Sequence, residues 1–191
     1  MANPFEAARQ WGGLLHPIVF AAPKPLLPAS TISFLHYAGV PTRFEVTANQ
    51  PIRFAFTASG QNLAGVWATR MPDWSLPAGW SRFWQIGDIT YGQADAWLCI
   101  EELTGRVVAV DVDLDDPLYV VNGSVERLVR CMRVLYDWSR PGDGSLARVA
   151  ALTAVLSQDP ALPAGEAGQY WLPLVEEAVE SGCGRLEVSC E

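Results

Sequence analysis

A chain of 191 residues, half of them hydrophobic, is long enough to bury one proper core and too apolar to remain disordered. Its 13 basic and 21 acidic residues give a formal charge of −8, the wrong sign for a free-standing nucleic-acid binder, whose affinity rests on neutralising phosphates. The same charge permits steering toward a basic protein partner, or simply keeps the chain in solution.

The first 28 residues read as an N-terminal extension, with residues 29–191 as a single domain. The apolar stretch from Gly13 to Ala22 is broken by His16-Pro17 and preceded by Glu6, unlike a signal peptide, and nothing reaches transmembrane length. A cytoplasmic home is expected. The four cysteines form no C-x-x-C pair. Cys99 and Cys131 sit in apolar runs and read as small core residues in a reducing compartment, while Cys183 and Cys190 could approach each other.

After the proline-rich APKPLLPAS, the stretch STISFLHYAGVP predicts a short helix capped by Ser30 or Ser33 and ended by Gly39 before Val40-Pro41. Phe44–Phe56 reads as extended, with Ile52, Phe54 and Phe56 on one face. Residues 59–80 mix Gly, Pro, Asp and Ser with Trp67, Trp74 and Trp80. They read as a long, partly ordered loop whose indoles either tuck beneath it or stand out for contact.

RFWQIGDI, AWLCIEE and RVVAVDVD then form an antiparallel meander, with Gly105 supplying the positive φ of the second hairpin. Ser124 caps a helix whose Val125, Leu128, Val129, Met132, Leu135 and Tyr136 make one buried stripe. Arg127, Arg130 and Arg133 fall on its other face and read as solvated. Helices follow over Leu146–Leu156 and within YWLPLVEEAVESG, and the tail CGRLEVSCE can add an edge strand.

The acidic run VVAVDVDLDD at 107–116 is the one patch with a chemical look. Strand alternation would turn Val108, Val110, Val112 and Leu114 to the core, and Asp111 and Asp113 outward with Val107 and Ala109. The first three alternate acids resemble a calcium loop. However, Asp116 stands where that loop needs glycine and Asn122 where it needs a bidentate glutamate. Asp111 and Asp113 could couple as catalytic acids, yet no phosphate cradle or nucleophile elbow accompanies them. Two histidines, His16 and His36, are too few for a conventional zinc site, and His36 reads as a core or boundary residue rather than a base. A solvated strand end is the favoured reading, with no cofactor or metal.

The ordered set Gly39-Val40-Pro41, Ile86-Gly87, Thr104-Gly105, Val110-Asp111 and Val121-Asn122-Gly123-Ser124 resembles the SUKH superfamily of SMI1/KNR4-like immunity proteins, in its SUKH-4 branch. The resemblance spans about residues 30–182; Gly123 departs from the serine common there. Each motif also has a physical task, ending a helix, turning a hairpin or capping the next helix, so the likeness speaks for architecture before activity. It implies an α+β domain, a mainly antiparallel twisted sheet with helices packed against it. It also implies an antidote that blocks a cognate toxin protein, a nuclease or nucleic-acid deaminase and hence basic, by binding rather than by chemistry. Direct contact with nucleic acid or membrane is not expected. The surface expected to meet the toxin combines Asp111, Asp113, Asp115 and Asp116 with Trp74 and Trp80. A scaffold or regulatory domain of the same fold is the alternative, and an enzyme with a site around the same acids or His36 is a third.

Overall fold

The computed structural model describes residues 4–20, 24–47, 51–91, 94–113, 117–138, 145–159, 171 and 187–190. Helix α1 (Pro4–Gln10) leads into the two-residue strands β1 (Leu15–His16) and β2 (Val19–Phe20), then α2 (Ala29–Tyr37) and β3 (Val40–Pro41). The meander follows as β4 (Arg43–Thr47), β5 (Ile52–Asn62), β6 (Phe83–Tyr91), β7 (Ala94–Glu101), β8 (Val107–Val110) and β9 (Leu118–Asn122), with α3 (Leu63–Arg70) inserted after β5. Helices α4 (Val125–Trp138) and α5 (Ser145–Ser157) and strand β10 (Glu187–Cys190) complete the described elements.

The eight-stranded sheet runs β10-β4-β5-β6-β7-β8-β9, antiparallel at every step, with β2 added in parallel to β5. The expected meander and tail strand are therefore present, in an α+β arrangement. Helices α4 and α5, the buried side of α2, and Trp11, Leu15, Ile18 and Leu27 cover one face. The stretch expected to be an extension thus contributes to the main core. Trp171 packs on Phe54 of β5 and reaches Asn122 of β9. Strands four places apart would lie roughly 19 Å from each other in a flat sheet, so this sheet curls around the indole.

Several local expectations are corrected. The segment 59–80 is not a long loop: β5 runs to Asn62, whose side-chain oxygen accepts from the Ala64 N–H (3.0 Å) and caps α3. Helix α2 begins one residue before Ser30, with Pro28 at its N-cap and no side-chain bond there, so neither Ser30 nor Ser33 caps it. The arginines of α4 are not merely solvated. Arg127 lies 3.5 Å from the buried Asp159, and Arg133 pairs with Asp137, bonds the Gln10 carbonyl and covers the rings of Trp11 and Tyr136. Only Arg130 of the three is exposed. His36 stands exposed on α2 rather than in a core. The helix expected over 170–182 lies outside the described residues apart from Trp171, as does Cys183.

Gly39 ends α2 as expected, at φ +84°, with its N–H donating to the Phe34 carbonyl (2.8 Å). A methyl group there would run into the backbone carbonyl of His16, which is held in place by the β1–β3 pairing. Gly39→Ala is expected to destabilise by about 2–3 kcal/mol, from the left-handed backbone and the collision together. Denaturant unfolding checks this; an unchanged midpoint would mean the two segments separate at little cost.

Candidate partner-binding surface

Strand β8 is buried on both faces. Val107 and Ala109 join the main core, while Val108 and Val110 meet a second apolar layer built by Leu63, Val66 and Trp67 of α3 with Phe83, Trp97 and Cys99. The outward, solvated face expected for Val107, Ala109 and Asp111 therefore does not exist, and of that set Asp113 alone reaches solvent. The strand stops at Val110. The Asp111 N–H donates to the Pro117 carbonyl (2.8 Å), and the Asp111 carboxylate accepts from the Asp113 N–H (3.0 Å). Asp111 is only 7% exposed and closes an Asx-type turn, so it is a structural residue and not an outward acid. Asp113 is exposed; Leu114, Asp115 and Asp116 lie outside the described residues.

The tryptophans divide by environment. Trp67 packs edge-on against Trp80 and Trp97 (centroids 5.6 and 5.8 Å). Trp80, in a one-turn 3-10 helix (Trp80–Arg82), is half-buried against the second apolar layer. Trp74 is different. Its indole is 69% exposed, yet its backbone is pinned: Trp67 Nε1 donates to the Trp74 carbonyl (2.8 Å), and the Trp74 N–H donates to the Met71 carbonyl (3.1 Å). Exposed Asp73 precedes it. Met71, Leu76, Trp80 and Val112 all pack on the second apolar layer, so one support carries both the Trp74 loop and the acidic turn.

Arginine tempers this face. Arg70 lies over Trp97 (5.7 Å) and pairs with Asp88 (3.3 Å). On the neighbouring strands Arg53 and Arg43 both grip Glu45 (3.0 and 3.1 Å). The hydrogen bond and charge of Arg53, aided by Arg43, hold the Glu45 carboxyl below the usual carboxylate range against the opposing pull of burial.

Two of the cysteines are muted by burial. Burial drives the Cys99 thiol far up, and it pushes Cys131 up to about 12 although Asn122 donates an N–H to its sulfur. Neither is a thiolate at neutral pH. Among the described residues no three His, Cys, Asp or Glu side chains converge as metal ligands, and no helix is long and apolar enough to cross a membrane.

A curled antiparallel sheet has helices on its main face and, on the other, an apolar layer that supports both the Trp74 loop and the turn at Asp111–Asp113, an α+β arrangement. The SUKH-4 immunity protein family matches residues 6–176, and the chain belongs to that family. No curated protein and no solved structure matches it.

Proposed function

We propose that this immunity protein neutralises a cognate polymorphic toxin, a basic enzyme acting on nucleic acid, by covering it rather than by modifying it. The observation that carries this reading is an indole left in solvent on a backbone held fixed, in a chain of net charge −8. Tryptophans desolvated at the centre of a contact commonly dominate its affinity, and a rigid loop loses little freedom on binding. Trp74 is the anchor. Asp73 and Asp113 supply an acidic rim that attracts a phosphate-binding surface and speeds encounter, and Asp115 and Asp116, outside the described residues, add to the charge of the same stretch of chain. Asp111 and Trp80 hold the rim and the loop in shape and act through them.

The test is co-expression with the product of the adjacent open reading frame, followed by binding of the purified pair. Protection of the cell and a complex whose association slows steeply between about 50 and 500 mM salt are expected. Binding that ignores salt would remove the acidic rim from the account. Failure of the chain to protect or bind would remove the toxin.

A further inference from the structure

The sheet ends at β9, which pairs with β8 and with no other strand among the described residues. The ladder fixes which way its backbone groups point. The Asp111 N–H donates to the Pro117 carbonyl, so these two residues are bonded across the strands. In an antiparallel ladder, bonded and non-bonded pairs alternate. Val110 lies opposite Leu118, Ala109 opposite Tyr119 and Val108 opposite Val120. Tyr119 is therefore bonded to β8, while Leu118 and Val120 turn their N–H and C=O groups outward. The preceding hairpin agrees. The Glu101 N–H donates to the Arg106 carbonyl (2.9 Å), which gives Val108 and Val110 to β7 and leaves Ala109 for β9. Two residues about 7 Å apart along the strand thus offer a donor and an acceptor each to whatever lies beyond the sheet. No partner among the described residues takes them.

Exposed edges are normally blunted by charge, proline or a bulge. Leu118, Tyr119, Val120, Val121 and Asn122 carry no charge. Pro117 does not blunt the edge either. Its carbonyl bonds Asp111, so the side on which it lacks an N–H faces β8. The register shift between Val107 and Val108 falls at the far end and leaves Leu118–Val120 regular. Leu118 packs on the second apolar layer and Tyr119 on the main core, so the strand is held from both faces. None of the three residues Leu118, Tyr119 and Val120 is fully buried. This edge is a fixed, open template.

We propose, resting on the toxin reading above, that the toxin adds an extended strand of its own to the β9 edge. Strand addition draws its affinity from main-chain hydrogen bonds and its selectivity from the side chains that flank them. The edge begins at the acidic turn, where Pro117 is bonded to Asp111 and Asp113 is exposed. Leu118 also shares the second apolar layer with the loop that carries Trp74. The strand edge therefore continues the surface already assigned to the toxin. A second copy of the chain would bring a net charge of −8 against −8, whereas a basic partner brings the opposite sign. The incoming strand is expected to be apolar beside Leu118 and Val120, with lysine or arginine at the end that lies beside Pro117.

Amide hydrogen exchange on the full chain, alone and with the purified product of the adjacent open reading frame, tests this. In the free chain the Leu118 and Val120 amides should exchange fast and the Tyr119 amide slowly. The complex should slow Leu118 and Val120 about 100-fold or more and change Tyr119 little. Val120→Pro removes one outward N–H and sets a ring where the incoming strand must lie, at no cost in bonds to β8. It should weaken binding about 10-fold or more, with the unfolding midpoint close to that of the wild type. A complex in which Leu118 and Val120 exchange as in the free chain overturns strand addition and leaves the toxin reading intact. Undiminished binding by Val120→Pro does the same. A product that does not bind at all removes both. Protection already present in the free chain also overturns the proposal: protection that rises with concentration marks pairing of two copies, and constant protection marks an edge the chain covers itself. Should Val120→Pro loosen the fold, the exchange pattern of the wild type decides alone.

Discussion

Trp171→Ala is expected to destabilise the protein by about 3–5 kcal/mol, the range for emptying an aromatic site in a core. The indole is fully buried, stacked on Phe54 at 5.6 Å, and its Nε1 donates to Asn122 Oδ1 (3.1 Å). Truncation opens a cavity where the sheet curls and also deprives the buried Asn122 of that donor. Trp171→Phe helps separate the two effects: it keeps most of the stack but loses the hydrogen bond and a smaller part of the ring volume, and about 1–3 kcal/mol is expected. Urea unfolding of the three proteins reads both numbers. Equal losses for the two variants would mean that the polar link, rather than the packing, closes the sheet.

Trp74→Ala should do the opposite, weakening toxin binding about 30-fold or more, as loss of a central anchor does, with stability changed by less than about 0.5 kcal/mol. The reason for the separation is structural. Trp67 bonds the backbone carbonyl of Trp74, which alanine retains, and the indole itself is mostly in solvent. Titration of the toxin against both proteins, with thermal melts alongside, checks the pair of outcomes. Unchanged affinity would move the interface elsewhere on the molecule, whereas a lost melting transition would show that the indole supports the fold.

The meander and the stripe of α4 were legible because alternation and the 3.6-residue period are read over several residues at once. Ser124 caps as its type predicts, its hydroxyl accepting from the Arg127 N–H (3.3 Å). Helix α3 was hidden, although Asn62 as cap, Leu63, Val66 and Trp67 at helical spacing and Arg70 in the last turn all announce it in hindsight. Gly65 and the surrounding polar residues outweighed eight residues of periodicity. Missing α3 also hid the second apolar layer, and with it the fact that β8 is covered on both sides. Asp111 was misplaced for the same reason, because alternation tells which way a side chain points but not whether anything lies there. The burial of Trp11, Leu15, Ile18 and Leu27 left no periodic trace, since they enter the core from turns, irregular chain and a strand of only two residues. At the site, composition identified tryptophans as anchors, but which of them is wet depends on what folds over it.

Strand β10 pairs with β4 from the far end of the described chain, Val188 opposite Val46 and Cys190 opposite Phe44. During synthesis the outer edge of β4 must therefore wait, bare, while nearly everything else emerges from the ribosome. A waiting edge invites pairing with neighbouring nascent chains. The Arg43–Glu45–Arg53 trio sits on that edge and on the strand beside it, putting charge where a stray strand would have to dock. Charge on that edge disfavours docking of a stray strand, so removal of the cluster is expected to lower yield before it lowers the unfolding midpoint.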